Sequence, residues 1–157
     1  MLRQSSVSDL INVRISREKA YIIITMRRYP RFVNRQLRDE YLSCMSPDWK
    51  LFESWLSAKR RYKSHNGAFG KVQFELRLDV NEEGLENLAR ISHMAKDREV
   101  YLVCQCQTGS QCHREFLLIL ARRLFKAKAE KPKNLYPTFE KRIPDFRKRI
   151  KKSQIVY

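Results

Sequence analysis

The run AYIIIT, Ala20 to Thr25, is almost continuously apolar and rich in β-branched residues, the pattern of a strand buried on both faces of a sheet. Before it, LINVRI (Leu10 to Ile15) alternates apolar and polar residues and predicts an edge strand, joined to AYIIIT through SREK as a hairpin. After Thr25, Pro30 biases Tyr29 toward an extended conformation, so MRRYPRF is a loop at the C-terminal end of the central strand. Asn34 to Cys44 has helical spacing. Ser46, Pro47 and Asp48 then read as the N-cap, first-position proline and first-turn acid of another helix. Its Trp49, Phe52 and Leu56 predict a buried aromatic stripe belonging to the core. The helix runs out among Lys59, Arg60, Arg61 and Lys63, and KSHNGAFG reads as a loop.

Phe69 to Val80 fits both periods: Val72, Phe74, Leu76, Leu78 and Val80 alternate, while Phe69, Val72, Leu76 and Val80 share a helical face. NEEGLENLARISHMA is a helix capped by Asn81, with Glu82 and Glu83 in its first turn. REVYLVCQC is a strand, and CHREFLLILARRLF a helix burying Phe116, Leu117, Leu120 and Leu124. This order predicts an α/β three-layer sandwich with a largely parallel sheet and helices on both faces. A single domain is expected over residues 1–126, with a basic C-terminal extension over 127–157.

Charge changes the picture. Lys and Arg number 33 against 17 Asp and Glu, a formal +16, and Arg122 to Lys152 alone holds thirteen basic and three acidic residues. Such a field favours a polyanionic partner: RNA, DNA or a phosphorylated ligand. Tyr136, Phe139, Ile143, Phe146 and Ile150 lie within the basic extension, which either docks back on the domain or orders on a polyanion. The N-terminus has no apolar signal-like region, and the longest apolar run, Phe116 to Ala121, is too short for a bilayer. The expectation is a cytoplasmic protein with no membrane partner and reduced cysteines. The oligomeric state is not legible in the sequence.

The chemistry concentrates in VYLVCQCQTGSQCHREFLLIL, Val100 to Leu120. QCQTGSQ lies between a strand end and a helix start, where Gly109 and Ser110 permit a turn with anion-binding N–H groups. The helix dipole and Arg114 favour a thiolate at Cys112 or Cys106, and so a nucleophilic cysteine. The spacing departs from a phosphatase loop of cysteine, five residues and arginine: seven residues separate Cys106 from Arg114, and nine separate Cys104 from it. A zinc set of Cys104, Cys106, Cys112 and His113 suits the metal chemically but lacks the usual two-to-four-residue spacing. No metal or other cofactor is therefore expected. A third reading makes Cys104 a buried strand residue and Cys112 a helix-start residue, with His113 and Arg114 merely polar. Cys44, alone on its segment, reads as a buried structural thiol.

A strand ending in Cys-Gln-Cys, five residues, then Cys-His-Arg resembles the domain of unknown function 488 family, with its YeaO-like branch. AYIIITMRRYPRF, YLSCMSPDWKLFESWL and NEEGLENLARISHMA followed by REVYLVC fall in the same order, so the resemblance spans about Leu10 to Leu124. It implies an α/β sandwich and a helical Phe69–Val80. It also implies a pocket formed by Arg27, Arg28, Tyr29, Pro30 and Arg31 from one strand end and Cys104, Cys106, Cys112, His113 and Arg114 from the other.

Two functions follow as expectations. One is a thiol-dependent enzyme acting on a phosphorylated or nucleic-acid-derived substrate. There Cys112 or Cys106 is the nucleophile and His113 the acid/base, and Arg28, Arg31 and Arg114 hold the anion. The other is a non-catalytic nucleic-acid-binding module, its basic tail stacking aromatics on bases.

Overall fold

Four parallel strands carry the molecule in the order β1-β4-β2-β3, where β1 is Leu2–Ser6, β2 Ala20–Ile24, β3 Glu40–Tyr41 and β4 Glu99–Cys104. The computed structural model describes all 157 residues. Helices cover both faces, so this is the expected α/β sandwich, with a sheet that is parallel throughout. Parallel strands need crossover connections, and those put helices over the sheet. The strand alternation shows in the core. Ala20, Ile22, Ile24 and Val103 face one way, with Val7 and Leu10 of α1 (Val7–Ile11). Ile23, Val100 and Leu102 face a thicker layer formed by the remaining helices.

Those helices are α2 (Trp49–Arg61), α3 (His65–Lys71), α4 (Phe74–Arg77), α5 (Glu82–Met94), α6 (His113–Phe125), α7 (Pro137–Glu140) and α8 (Ile143–Ser153). The buried centre is α6, in which every residue from His113 to Ala121 is buried. Tyr136, Phe139, Ile143, Phe146 and Ile150 of the basic extension pack into this same core, with the Phe116 and Phe139 rings stacked at 4.3 Å between centroids. Just after α6 the chain lies along β1: Leu2 N–H donates to Lys128 O at 2.7 Å, and Glu130 N–H to Leu2 O at 2.9 Å. That segment covers an otherwise open sheet edge.

Several expected elements differ. LINVRI is not a strand and forms no hairpin. Leu10 and Ile11 end α1, which Ser6 caps and which buries Val7 and Leu10; of the alternating Ile11, Val13 and Ile15 only Ile15 is buried, so the run has no strand face to bury. The chain then turns through Val13, exposed at φ 54°. The first strand is LRQSS, whose polar Gln4, Ser5 and Ser6 are buried and carry no hydropathy signal. Asn34 to Cys44 is not one helix but two 3-10 turns, Arg35–Leu37 and Ser43–Met45, flanking β3. The cap of α2 is Asp48, whose Oδ1 accepts Leu51 N–H at 2.8 Å, and Ser46 is buried, donating to Ser43 O. KSHNGAFG is helical from His65 onward, because Ser64 caps α3. Phe69 to Val80 is helical through Arg77 except for a left-handed break at Gln73 (φ 54°), then extended.

Candidate functional site

Because β2 and β4 are neighbours, their C-terminal ends open side by side, bringing Met26–Arg28 next to Cys104–Gln107. The loop from Gln105 to Gln111 returns to α6 and is held by α3 and by the C-terminal extension. Gly109, at φ +101°, makes the turn where a side chain would be strained, and Asn134 Nδ2 donates to its carbonyl at 3.0 Å. From α3, Asn66 Oδ1 accepts Gln111 N–H at 3.2 Å and the His65 ring bonds Gln111 O at 2.7 Å. From the extension, the Tyr136 hydroxyl accepts Cys112 N–H at 3.2 Å. Ser110 N–H donates to Gln107 O, so three N–H groups at this turn already have partners within the protein.

The fold of this loop places the Sγ atoms of Cys104, Cys106 and Cys112 within 4.8 Å of one another. His113 Nε2 meets Thr25 O at 2.5 Å, which turns Nδ1 toward Cys112 Sγ (3.6 Å) and Cys104 Sγ (4.0 Å). Arg114 is fully buried beneath them. Its guanidinium donates to Ser5 O, to Cys106 O (2.9 Å), to Gln107 O (3.5 Å) and to Cys112 Sγ (3.3 Å). A buried guanidinium left unpaired is strongly destabilising; these carbonyls satisfy it, and its charge is aimed at sulfur.

Burial alone would raise the Cys112 thiol. Hydrogen bonds from Cys104 and Cys106, with the charges of Arg114 and His113, outweigh that and hold it well below the usual thiol range. Burial likewise opposes charge on His113, but the Cys112 and Cys104 sulfurs carry it up to about 10. Cys106, bonded to Cys104 and Cys112 and largely desolvated, is pushed up. Negative charge in the cluster therefore gathers on Cys112, while Cys106 keeps its proton.

Above the sulfurs lies a cavity of about 720 Å³. Phe52, Trp55, Tyr62, Phe69 and Phe74 form an aromatic wall, and Arg27, Arg28, Lys59 and Lys63 bring positive charge. No carboxylate lines it. All three clustered cysteines and His113 border it, as do Ser110 and the amides Gln105, Gln107 and Gln111. Arg27 donates to Pro47 O (2.7 Å), Ser43 O (3.0 Å) and Ser46 O (3.4 Å), so it acts mainly through its field. Arg28 is exposed and sits over the Trp49 and Phe52 rings at 5.3 and 5.7 Å.

The sequence-expected residues divide accordingly. Cys106, Cys112, His113, Arg27, Arg28 and Ser110 border the cavity; Arg114 lies underneath with its donors engaged, and Gly109 shapes the loop. Arg31 and Tyr29 stand apart from it. Tyr29 packs edge-on against Tyr41 at 5.2 Å and donates to Val33 O. Trp55, Lys59, Lys63, His65 and Tyr136 were not among the expected site residues. On α2 and just past its end a signal was present: Phe52, Trp55, Leu56, Lys59, Tyr62 and Lys63 recur at helical spacing, and lysines mixed with aromatics on one face belong to a lined cavity rather than a core stripe. Cys44, half-buried, stands away from the cluster with Asn87 Nδ2 3.8 Å from its sulfur.

No curated protein and no solved structure matched the chain. A family model described as DUF488-N3a, the active DUF488-N3 subclade, matches residues 7–129, bracketing the Leu10–Leu124 span of the resemblance. The chain belongs to the domain of unknown function 488 family, within that subclade.

Proposed function

We propose that the chain is an enzyme that binds a phosphorylated, ring-bearing substrate of nucleotide type in this cavity and transforms it at the sulfur-lined end. One observation carries the reading: a cavity of about 720 Å³ with four cations, an aromatic wall and no carboxylate, closed at its base by three cysteines. The volume suits a small organic ligand, the cations suit phosphate, and a flat base finds aromatic faces to stack on. The free donors for the anion are Arg28, Lys59 and Lys63. Arg31 is not at the cavity, and Arg114 is committed to backbone carbonyls and Cys112. Cys106 is the least buried of the three clustered sulfurs and the one placed to meet substrate. His113 has Nε2 bonded to Thr25 O and only Nδ1 toward the cluster, so it acts on substrate through the sulfurs. The word "active" in the subclade's description agrees with an enzyme.

The tail supports the non-catalytic module less well, since Tyr136, Phe139 and Phe146 are buried and have no free face to offer a base. Exposed Arg147, Lys148, Lys151 and Lys152 on α8 instead add a field that attracts polyanions such as RNA or DNA. Titration by tryptophan fluorescence tests the reading, because Trp55 is in the cavity wall. A nucleoside monophosphate should bind more tightly than its nucleoside, and Lys59→Glu should weaken it about tenfold, or roughly 1.4 kcal/mol. Equal affinity for both ligands, or no effect of Lys59→Glu, contradicts it.

A further inference from the structure

We propose that Cys104, Cys106 and Cys112 together bind one zinc ion, with His113 Nδ1 as the fourth ligand. This deepens the proposed function by naming what occupies the reactive end of the cavity, and it is testable with no substrate present. The first argument is distance. The three Sγ atoms lie within 4.8 Å of one another, and a tetrahedral zinc with bonds of about 2.3 Å holds its sulfurs about 3.8 Å apart. Small side-chain rotations close that difference. The unusual chain spacing is no obstacle, because the loop turning at Gly109 returns Cys112 to the strand end that bears Cys104 and Cys106.

The second argument is the histidine. Its Nε2–H is donated to Thr25 O, so Nδ1 is the nitrogen that faces Cys112 and Cys104, at 3.6 and 4.0 Å, and it is free to exchange its proton for a metal. A backbone carbonyl behind the non-ligating nitrogen is the arrangement that orients a metal-bound imidazole. The third is charge. Three thiolates and one Zn²⁺ leave a single negative charge, and the buried Arg114 beneath, donating to Cys112 Sγ at 3.3 Å, balances it. The fourth is access and selectivity. The cluster borders the cavity, which supplies an entry path, and an all-Cys/His donor set with no carboxylate selects zinc over magnesium or calcium. Binding replaces the remaining S–H protons and the His113 Nδ1 proton with Zn–S and Zn–N bonds and releases those protons to solvent, with no change of oxidation state. With all four positions taken by protein the site is closed, so the zinc pins the sulfur loop at the base of the cavity and holds its sulfurs as thiolates.

Zinc content of the purified full-length chain, measured by plasma mass spectrometry, should be about one per chain. The cobalt-substituted protein should show thiolate-to-cobalt charge-transfer bands with tetrahedral ligand-field absorption. Cys106→Ser should lower zinc affinity by at least about tenfold in competition with a chromophoric chelator, while Cys44→Ser leaves it unchanged. The wild-type cobalt spectrum decides the matter even where a cysteine variant fails to fold. A chain that takes up neither metal, a disulfide within the cluster, or undiminished zinc in Cys106→Ser overturns the proposal. None of these readouts involves nucleotide, so a missing metal and a missing substrate are told apart.

Discussion

Arg114 and Glu115 are adjacent, oppositely charged and fully buried, yet each is satisfied by its own partners. Arg114 points to the sulfurs and Ser5. Glu115 accepts from Gln4 Nε2 (3.0 Å), Lys133 N–H, Asn134 Nδ2 (2.7 Å) and the Tyr136 hydroxyl (2.7 Å). Tyr136 joins the two sides, since the hydroxyl that donates to Glu115 also accepts Cys112 N–H. Burial and the Glu115 carboxylate push that phenol up, keeping it a neutral donor. Tyr136→Phe removes one charge-assisted and one neutral hydrogen bond and leaves a buried N–H without its partner. It should cost about 2–3 kcal/mol in urea unfolding; a loss below about 0.5 kcal/mol, the scale of an ordinary surface substitution, contradicts this bridging role. The cysteines, His113 and Arg114 were legible because one short motif holds them all. Gln4, Glu115 and Tyr136 were not: Gln4 lies 111 positions and Tyr136 21 positions from Glu115, and buried polar side chains leave no periodic mark.

Among the elements, α5 and α6 followed from the sequence because cap, first-turn acid and apolar face agree, or because a long apolar run admits little else. Elements that buried polar residues or ended in short turns did not. Gly84 in α5 shows how closely they fit. A Cβ there would meet Cys44 O and Val80 Cγ1, each at 2.7 Å. Alanine favours a helix by about 1 kcal/mol over glycine, but a backbone oxygen at that range cannot yield without moving the turn Ser43–Met45. Gly84→Ala is therefore expected to lower stability by about 1–3 kcal/mol, checked by denaturant unfolding; a stabilised variant would show the contact to be looser. The stripe on α2 carries the functional lesson. Trp49 is 48% exposed beneath Arg28, and Phe52, Trp55 and Leu56 are half-buried and line the cavity, so a pattern that predicted core faces the core only in part.

At the scale of the whole molecule, the basic extension joins the structure to the site. Its aromatic and aliphatic residues complete the core around Phe116, its Lys128–Glu130 segment covers β1, and its Tyr136 steadies the sulfur loop. Part of its charge is spent on docking: Arg149 pairs with Asp79 at 2.6 Å, and Arg142 donates to Glu75 O at 2.7 Å. The surplus positive charge is visible in composition, but only the fold shows four cations converging on one cavity. The central claim is that this cavity takes a phosphorylated ring compound with its reacting end at the sulfurs. A crystal structure of the full chain with a nucleoside monophosphate tests it most directly. The account predicts phosphate density between Arg28, Lys59 and Lys63, the base against Trp55, and the remainder of the ligand directed at Cys106. A cavity empty at saturating ligand, or the ligand bound instead along α8, would contradict it.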